Sequence, residues 1–150
     1  MMYEKYGQFI DGKWCQSSDK STYEVINPAN EETLGHASKA TPKDVDRALK
    51  SAEKGLQVWK KTPPWQRSYI IRRIADKIRE KQDVLAKWMT LEVGKPFVEA
   101  KGEVNGAADI FEWNAEETKR IYGQTVESRF EDTRVPVSYT HLTLPTNGLG

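Results

Sequence analysis

The chain has 150 residues, of which 30% are charged, and 23 basic against 22 acidic side chains give a net charge of +1. This balance excludes a protein-wide attraction to nucleic acid or to an anionic membrane, and no segment approaches the roughly eighteen apolar residues of a membrane helix. The first ten residues, MMYEKYGQFI, have no apolar core, so we expect no secretory signal. The single cysteine, Cys15, cannot form an internal disulfide, which favours a cytoplasmic protein.

Two β-hairpins are predicted at the start of the chain. In QFIDGKWC the pair Asp11-Gly12 lies between apolar flanks. Asp-Gly is a strong signal for a two-residue turn, because both turn positions need positive φ. A second strand pair is predicted for STYEVINP and TLGHASKA, with a turn at 29–32.

Two amphipathic helices are predicted next. TPKD at 41–44 places a hydroxyl before a proline and an acid, which is typical of a capped helix start. Apolar residues then recur at helical spacing over 45–59. Thr62-Pro63 repeats the start signal, and a stripe of isoleucines predicts a second helix that continues to about Lys81.

The third and fourth helices are predicted between Asp83 and Gly123. Asp83 can cap the third helix, and Gly94 is expected to end it. The fourth is expected to begin at Pro96 and to present one apolar face until Gly123. The glycines at 102 and 106 weaken a helix, so we expect a neighbouring element packed closely against them. The run TVESRFEDTRVPV then alternates like an exposed strand.

The second helix could bind a polyanion. Six basic side chains lie between Arg67 and Lys81, with Trp65 nearby, a pattern that also occurs in RNA-binding surfaces. Asp76 and Glu80 interrupt this face, which favours a solvated helix stabilised by ion pairs one turn apart. A stand-alone binding module using this helix is the alternative hypothesis, and it predicts salt-dependent retention on polyanions.

No pattern in the chain predicts an active site. Gly94-Lys95-Pro96 lacks the hydroxyl residue and the upstream glycine of a phosphate loop. The glutamates at 112, 116 and 117 have no histidine beside them, so we interpret them as a solvated face. Cys15 is interpreted as a small packing residue, although a small enzyme using its thiol would predict selective alkylation at neutral pH.

The order of several stretches resembles the amino-terminal quarter to third of an NAD(P)-dependent aldehyde dehydrogenase. The resemblance runs from about Tyr6 to Val137, and it is carried by FIDGKW, NPANEETLG, ATPKDVDRALKSAEKGLQVWKKTPPWQRSYIIRRIADKI, LAKWMTLEVGKPFVEAKGEV and ADIFEWNAEETKRIYG. LEVGKPFVEAKGEV and WNAEETKRIYG look most similar to the succinate-semialdehyde dehydrogenase branch. The resemblance implies a truncated α/β fold, in which β-hairpins precede a helical layer of a Rossmann-like cofactor domain. The complete enzyme would be a homo-oligomer that acts on an aldehyde with NAD or NADP.

The resemblance also implies where the catalytic residues of such an enzyme stand. A nucleophilic cysteine, an oxyanion asparagine and a glutamate base belong to GQxC-, PWNFP- and ELGG-like stretches, none of which occurs here. We therefore expect no catalytic or cofactor-binding residue in this chain, and weak binding of NAD or NADP. Glu103 matches a position where many family members hold a structural monovalent cation, together with a backbone oxygen near Val25. An ordinary solvated or salt-bridged glutamate explains Glu103 equally well.

The end of the chain differs in composition from the rest. The last sixteen residues, VPVSYTHLTLPTNGLG, contain no Lys, Arg, Asp or Glu. SYTHLTLPTN looks like translated sequencing-adaptor read-through. We therefore expect two parts: residues 1–137 from the aldehyde dehydrogenase, and a non-native tail at 138–150.

Overall fold

The computed structural model describes residues 7–138, which form six short strands and four α-helices. Within this range the strands pair only as three separate antiparallel hairpins. The predicted tail lies outside the described residues apart from Ser138, and so do residues 1–6. In chain order the elements are β1 (Gln8–Ile10), β2 (Lys13–Cys15), β3 (Thr22–Ile26), β4 (Thr33–Ser38), α1 (Pro42–Trp59), α2 (Pro64–Glu80), α3 (Gln82–Val93), α4 (Phe97–Glu117), a 3₁₀ turn (Thr118–Arg120), β5 (Gln124–Glu127) and β6 (Arg134–Val137).

Both hairpins predicted at the start of the chain are present. Asp11 and Gly12 have φ angles of 55° and 73°, the left-handed geometry that a two-residue hairpin turn requires. Across the turn, the rings of Phe9 and Trp14 pair with centroids 5.1 Å apart. The second hairpin pairs β3 with β4, also antiparallel.

Helix α1 begins as the sequence predicts. The Thr41 hydroxyl accepts a hydrogen bond from the N–H of Asp44 at 3.3 Å, and the Asp44 carboxylate accepts one from the N–H of Thr41 at 3.0 Å. This reciprocal pair satisfies two N–H groups at the start of the helix. The predicted apolar face is uncovered, because Val45, Leu49 and Leu56 are 49%, 63% and 55% exposed.

Helix α2 begins later than the sequence predicts, and Thr62 is not its cap. The Thr62 hydroxyl donates to the carbonyl of Val58 at 3.0 Å, so it closes the end of α1 instead. Pro63 occupies the N-cap position and Pro64 is the first helical residue, with no side-chain hydrogen bond at this end. The start therefore depends on two prolines whose rings already fix φ near the helical value.

Asp83 does not cap α3, contrary to the prediction. The helix begins at Gln82, and the Asp83 carboxylate instead receives the ammonium of Lys101 from α4 at 2.7 Å. Lys81 alone separates α2 from α3, and its N–H still bonds the carbonyl of Lys77 at 3.2 Å. The last turn of α2 therefore leads directly into α3, and no separate cap can form.

Gly94 ends α3 as predicted. Its φ is 76°, the left-handed backbone geometry of a helix terminator. Residues other than glycine adopt this geometry only at a cost in free energy. A Cβ atom at this position would lie 3.1 Å from Cγ of Pro28, which follows β3. Gly94 is thus required both by its backbone conformation and by the approach of a neighbouring turn.

Helix α4 ends before Gly123, so the predicted end is wrong. The regular helix stops at Glu117 and continues as one 3₁₀ turn. The Thr118 hydroxyl donates to the carbonyl of Asn114 at 2.8 Å, in competition with the backbone ladder. Tyr122 lies outside the helix and is 74% exposed, so the predicted apolar face does not reach it.

The glycines of α4 lie in open space. A Cβ atom added at Gly102 or Gly106 would meet no atom of residues 7–138 within 4 Å. The expectation of a close neighbour against these glycines is therefore wrong for this part of the chain, where no element packs on that side of α4.

Helices α2, α3 and α4 pack together through small side chains. Of the seven buried apolar residues in the described part of the chain, only Ile10 and Val104 are larger than alanine. A methyl group lets two helix backbones approach closely but removes little apolar area from water. This packing therefore stabilises the helices less than a core of leucine or phenylalanine would. The buried alanines are Ala75, Ala86, Ala100, Ala108 and Ala115.

The segment after Gly123 forms a third hairpin instead of one strand. Strands β5 and β6 pair with Val126 opposite Val135. All residues of both strands except Val137 are exposed. The alternating sequence predicted the exposure, but it did not reveal the turn between the strands.

Candidate functional site

The carboxylate of Asp44 joins the segment after the first hairpin to the start of α1, and it is only 2% exposed. Its Oδ2 atom accepts hydrogen bonds from the N–H groups of Thr41 at 3.0 Å and Ser18 at 3.1 Å, and from the Ser17 hydroxyl at 3.3 Å. These donors, the Thr41 N–H first, hold the pKa of Asp44 well below its usual range because they stabilise the ionised form. A carboxylate held in this way is a poor general base, and we interpret it as a structural anchor.

Cys15 contacts α1 through its thiol. Nη2 of Arg47 donates to Sγ of Cys15 at 3.3 Å, and Sγ also lies 3.3 Å from the carbonyl oxygen of Gln8. The same Nη2 donates to Oδ1 of Asp44 at 3.2 Å, so Arg47 bridges the thiol and the anchor. Neither partner of Sγ is a base that could remove the thiol proton. The sequence did not reveal this contact, because 32 residues separate Cys15 from Arg47.

A cleft of about 550 Å³ separates the first hairpin from α1. We call it the hairpin cleft. Four of its lining side chains are basic and two are acidic, and Cys15 is among the other lining residues. The lining residues are Ile10, Asp11, Cys15, Lys43, Asp46, Arg47, Lys50, Ser51 and Lys54.

Two arginines of α2 are held by carboxylates of α4. Arg72 donates to Glu112 at 2.6 Å and also pairs with Glu116, while Arg79 donates to Glu112 at 2.6 Å and to Asp109 at 2.8 Å. The hydrogen bond from Arg79 is the main reason that the pKa of Glu112 is lowered. This ion-pair network fixes the contact between the two helices on their half-exposed side.

The network corrects two predictions. Glu112 and Glu116 are not a freely solvated face, because their side chains are 38% and 39% exposed and contact arginines of another helix. Ion pairs one turn apart within α2 are represented by Lys77 and Glu80 alone among the described residues. A single-helix pattern shows which residues share a face, but it cannot show which charged helix lies opposite.

The proposed polyanion surface on α2 retains few free cations. Arg72 and Arg79 are neutralised by α4, and Lys77 pairs with Glu80. Arg73 lies over the ring of Tyr69, 5.8 Å from its centroid. No continuous basic stripe therefore remains along this helix, and the observed contacts do not favour the alternative hypothesis of a stand-alone binding module.

Glu103, the predicted cation ligand, forms an ion pair with Lys95. The hydrogen bond from the Lys95 ammonium to Glu103 raises the pKa of Lys95. Val25 lies on β3, and the turn after that strand brings Pro28 against Gly94, next to Lys95. The turn after the strand of Val25 thus approaches Gly94, but the Lys95 ammonium already neutralises the Glu103 carboxylate. Nowhere in residues 7–138 do three His, Cys, Asp or Glu side chains converge as a metal site.

An apolar groove of about 550 Å³ runs along α2 and α3. Ile70 and Ile74, which the sequence predicts on the inner stripe of α2, are 38% and 40% exposed. Large apolar side chains left exposed on the predicted inner stripe indicate a face that packs against something else. Its lining is Ile70, Arg73, Ile74, Lys77, Ile78, Lys81 and Leu85. None of the helices between residues 7 and 138 is both long and apolar enough to cross a bilayer.

Comparison with known proteins identifies the family of this chain. The sequence model of the aldehyde dehydrogenase family matches residues 14–144. The chain belongs to the aldehyde dehydrogenase family. It corresponds to the amino-terminal portion of these enzymes, and it spans at most about 30% of the length of the relatives given below.

Relatives in this aldehyde dehydrogenase family act on semialdehydes, according to their names. Glutarate-semialdehyde dehydrogenase of Pseudomonas aeruginosa is 38% identical over 144 residues, covering 93% of this chain and 30% of the relative. The NADP-dependent succinate-semialdehyde dehydrogenase GabD of Escherichia coli is 38% identical over 143 residues, covering 92% of this chain and 30% of the relative. Succinate semialdehyde dehydrogenase of Acinetobacter baylyi is 37% identical over 129 residues, covering 86% and 27%. The resemblance to the semialdehyde branch is confirmed.

Solved aldehyde dehydrogenases superpose on the same elements. Succinate-semialdehyde dehydrogenase from Burkholderia pseudomallei gives a TM-score of 0.82 at 35% identity, covering 87% of this chain and 27% of that one. Betaine aldehyde dehydrogenase from Staphylococcus aureus, a point mutant in complex with NAD⁺, gives 0.80 at 31% identity, covering 87% and 27%. The predicted fold, hairpins followed by the helical layer of a truncated aldehyde dehydrogenase, is confirmed.

Proposed function

We propose that this chain is the amino-terminal part of an NAD(P)-dependent dehydrogenase that oxidises a semialdehyde, such as succinate or glutarate semialdehyde, to its acid. The observation that carries the proposal is the family match over residues 14–144. The identity of 38% to relatives named for both substrates supports the substrate class. Choosing between the two substrates requires the complete enzyme, because this chain covers only 30% of either relative.

We infer that the nucleophilic cysteine, the oxyanion donor and the general base lie outside this chain. The 150 residues contain no GQxC-, PWNFP- or ELGG-like stretch. Cys15 is the only cysteine, and its thiol contacts Arg47 and the Gln8 carbonyl, neither of which can act as its base. The chain alone would therefore not oxidise aldehydes.

The described residues do not fit a nicotinamide cofactor. A dinucleotide site is built where a parallel strand leads through a glycine-rich turn into a helix, whereas the strands of residues 7–138 form antiparallel hairpins. NAD or NADP would bind the complete enzyme, and this chain would bind neither well. Its contribution is structural: the uncovered faces of α1 and of the apolar groove would pack against the rest of the enzyme.

The first experiment is to amplify the source locus outward from the codons for GKPFVEAKGEV and to express the complete protein. We expect the complete protein to reduce NAD⁺ or NADP⁺ with succinate or glutarate semialdehyde, and the 150-residue chain to reduce neither. Cys15→Ser in the complete protein is the matched control, and it should leave the rate unchanged. A complete protein that is inactive with both semialdehydes, or a chain that is active alone, would overturn the proposal.

The limit of the native sequence stays a prediction. We propose that residues 1–137 are native and that residues 138–150 are not, although the family match continues past Val137 to residue 144. The amplified locus tests this division directly. Codons that leave the given sequence after Val137 are expected, and codons for SYTHLTLPTN in intact source DNA would refute the division. We also propose that the complete enzyme is a cytoplasmic homo-oligomer, as the family resemblance implies.

We propose, as a separate point, that Glu103 contributes to a structural monovalent-cation site in the complete enzyme. Such a site would require the carboxylate to exchange the Lys95 ammonium for the cation. Na⁺ or K⁺ should then raise the unfolding temperature of the complete enzyme relative to choline at equal ionic strength, and Glu103→Gln should abolish the difference. An unchanged response in the variant would leave Glu103 as the ion-pair partner of Lys95 only.

A further inference from the structure

We propose that the hairpin cleft binds a small molecule carrying several linked phosphate groups. The cleft lies between the first hairpin and α1, and all the side chains that define it belong to this chain. The proposal therefore does not depend on the dehydrogenase activity, and each can fail without the other.

The cations of the hairpin cleft form one stripe. Lys43, Arg47, Lys50 and Lys54 follow one another on α1 at intervals of four, three and four residues. This spacing places their side chains on one face of a helix. With a rise of 1.5 Å per residue, the stripe is about 16 Å long. It is longer than a single phosphate group, so a ligand with several linked anionic groups would use it fully.

Three of these cations have no acidic partner among residues 7–138. Within residues 7–138, the ammonium groups of Lys43, Lys50 and Lys54 make no hydrogen bond or ion pair. On α2, by contrast, Arg72 and Arg79 are neutralised by carboxylates of α4. Like charges left together on one face raise the local positive potential, which attracts an anion.

Arg47 is fixed in place beside the three lysines. Its Nη2 is held by Asp44 and Cys15, while half of its side chain stays exposed. The buried carboxylate of Asp44 also binds the N–H of Ser18, so the segment after the hairpin and α1 keep a fixed relation. A cleft whose walls are already positioned loses less entropy when a ligand binds.

The charges of the cleft select for a multivalent anion. Asp11 and Asp46 line the cleft and Asp44 pairs with Arg47, so three of the four positive charges are offset and a singly charged anion gains little. A volume of about 550 Å³ lies within the range of small-molecule sites. Tripolyphosphate, with three linked phosphate groups, is a simple probe with the required chemistry. Inorganic phosphate, with one phosphate group, is the comparison ligand.

The binding test uses the complete protein with tripolyphosphate in equilibrium dialysis at low salt. Lys50→Gln with Lys54→Gln should weaken binding about tenfold or more. Lys60→Gln with Lys61→Gln removes the same charge from the end of α1, outside the cleft, and should change binding less than about twofold. Equal losses in the two double variants would show diffuse charge attraction and would overturn the proposal.

A second readout needs no variant. Because Cys15 lines the cleft, bound tripolyphosphate should slow its alkylation by neutral iodoacetamide, while phosphate at equal ionic strength should not. An unchanged alkylation rate at saturating tripolyphosphate would overturn the proposal. Competition by a short RNA at lower concentration than tripolyphosphate would also overturn it, in favour of a nucleic-acid surface.

Discussion

The carboxylate of Asp44 accepts a hydrogen bond from the backbone N–H of Ser18 at 3.1 Å, across 26 residues of sequence. The same side chain caps α1 through Thr41. One carboxylate thus ties the segment after the first hairpin to the start of the first helix. The contact explains why an acidic side chain is buried in a part of the chain that has few buried apolar residues.

Acid should release this anchor. The pKa of Asp44 is lowered in the folded chain from its ordinary value of 3.8, so the folded state binds its proton less tightly than the unfolded state does. The stabilisation from Asp44 is fully present above pH 3.8 and is lost as the pH falls toward the lower pKa of the folded state. Hydrogen exchange at Ser18, corrected for its intrinsic pH dependence, should therefore accelerate below that pH.

Asp44→Asn tests the cause of this acid response. The amide keeps one acceptor oxygen but loses the charge, so exchange at Ser18 should be faster than in the parent chain at neutral pH and insensitive to acid. Asp46→Asn is the matched control on the same helix, since Asp46 is exposed. A variant at Asp44 with unaltered exchange would show that the carboxylate does not anchor the segment.

The ion-pair network between α2 and α4 should make a small, salt-dependent contribution. Arg72→Gln removes contacts to Glu112 and Glu116, whereas Arg73→Gln removes only the contact with Tyr69. Because the Arg72 side chain is 41% exposed, its loss should speed hydrogen exchange in α4 by less than about tenfold. High salt should shrink the difference between the variants. A larger effect from Arg73→Gln would contradict the assignment of the network.

Two glycines should respond oppositely to alanine. At Gly94, alanine would have to adopt a left-handed conformation and approach Pro28, so local opening of the α3–α4 junction should become easier by about 1–2 kcal/mol. At Gly102, a methyl group meets open space in this chain, so α4 should gain up to about 1 kcal/mol. Hydrogen exchange at the α3–α4 junction and within α4 measures the two effects, and changes of the same sign would refute the contrast.

The isolated chain should associate with itself. Its buried core is mostly alanine, while large residues such as Ile74, Phe97 and Trp113 are 40%, 42% and 72% exposed. We expect broad elution in size-exclusion chromatography and binding of a dye that reports exposed apolar surface. The complete enzyme, in which these faces would be covered, should bind little dye. A monodisperse monomer of 150 residues that unfolds cooperatively on heating would contradict this prediction.

Elements with local causes could be predicted from the sequence. The Asp11-Gly12 turn, the Thr41 cap and the Gly94 terminator depend on a few adjacent residues, and all three are correct. The prediction at Thr62 failed because its hydroxyl bonds a carbonyl of the preceding helix. The prediction at Asp83 failed because its carboxylate pairs with Lys101 of α4. Helix-capping propensity does not show which of several possible partners a polar side chain will bind.

The candidate sites depend even more on contacts between distant residues. The basic stripe of α1 and the first hairpin can each be recognised in the sequence, but the sequence does not show that they approach each other to form a cleft. Cys15 lies on that hairpin and meets Arg47 across 32 residues. The network of Arg72 with Glu112 likewise joins residues 40 apart. Neither pair has a motif spacing that could have indicated it.

The alanine packing of α2, α3 and α4 has a consequence for biosynthesis. These helices follow one another closely along the chain, and contacts between elements near in sequence form early in folding. A ribosome adds about 5–20 residues per second, so the later part of a complete enzyme would take on the order of tens of seconds to emerge. During that interval α2, α3 and α4 would already be packed on one another, while the isoleucines of the apolar groove would still be exposed to solvent. We expect nascent chains at this stage to bind chaperones that recognise apolar surface.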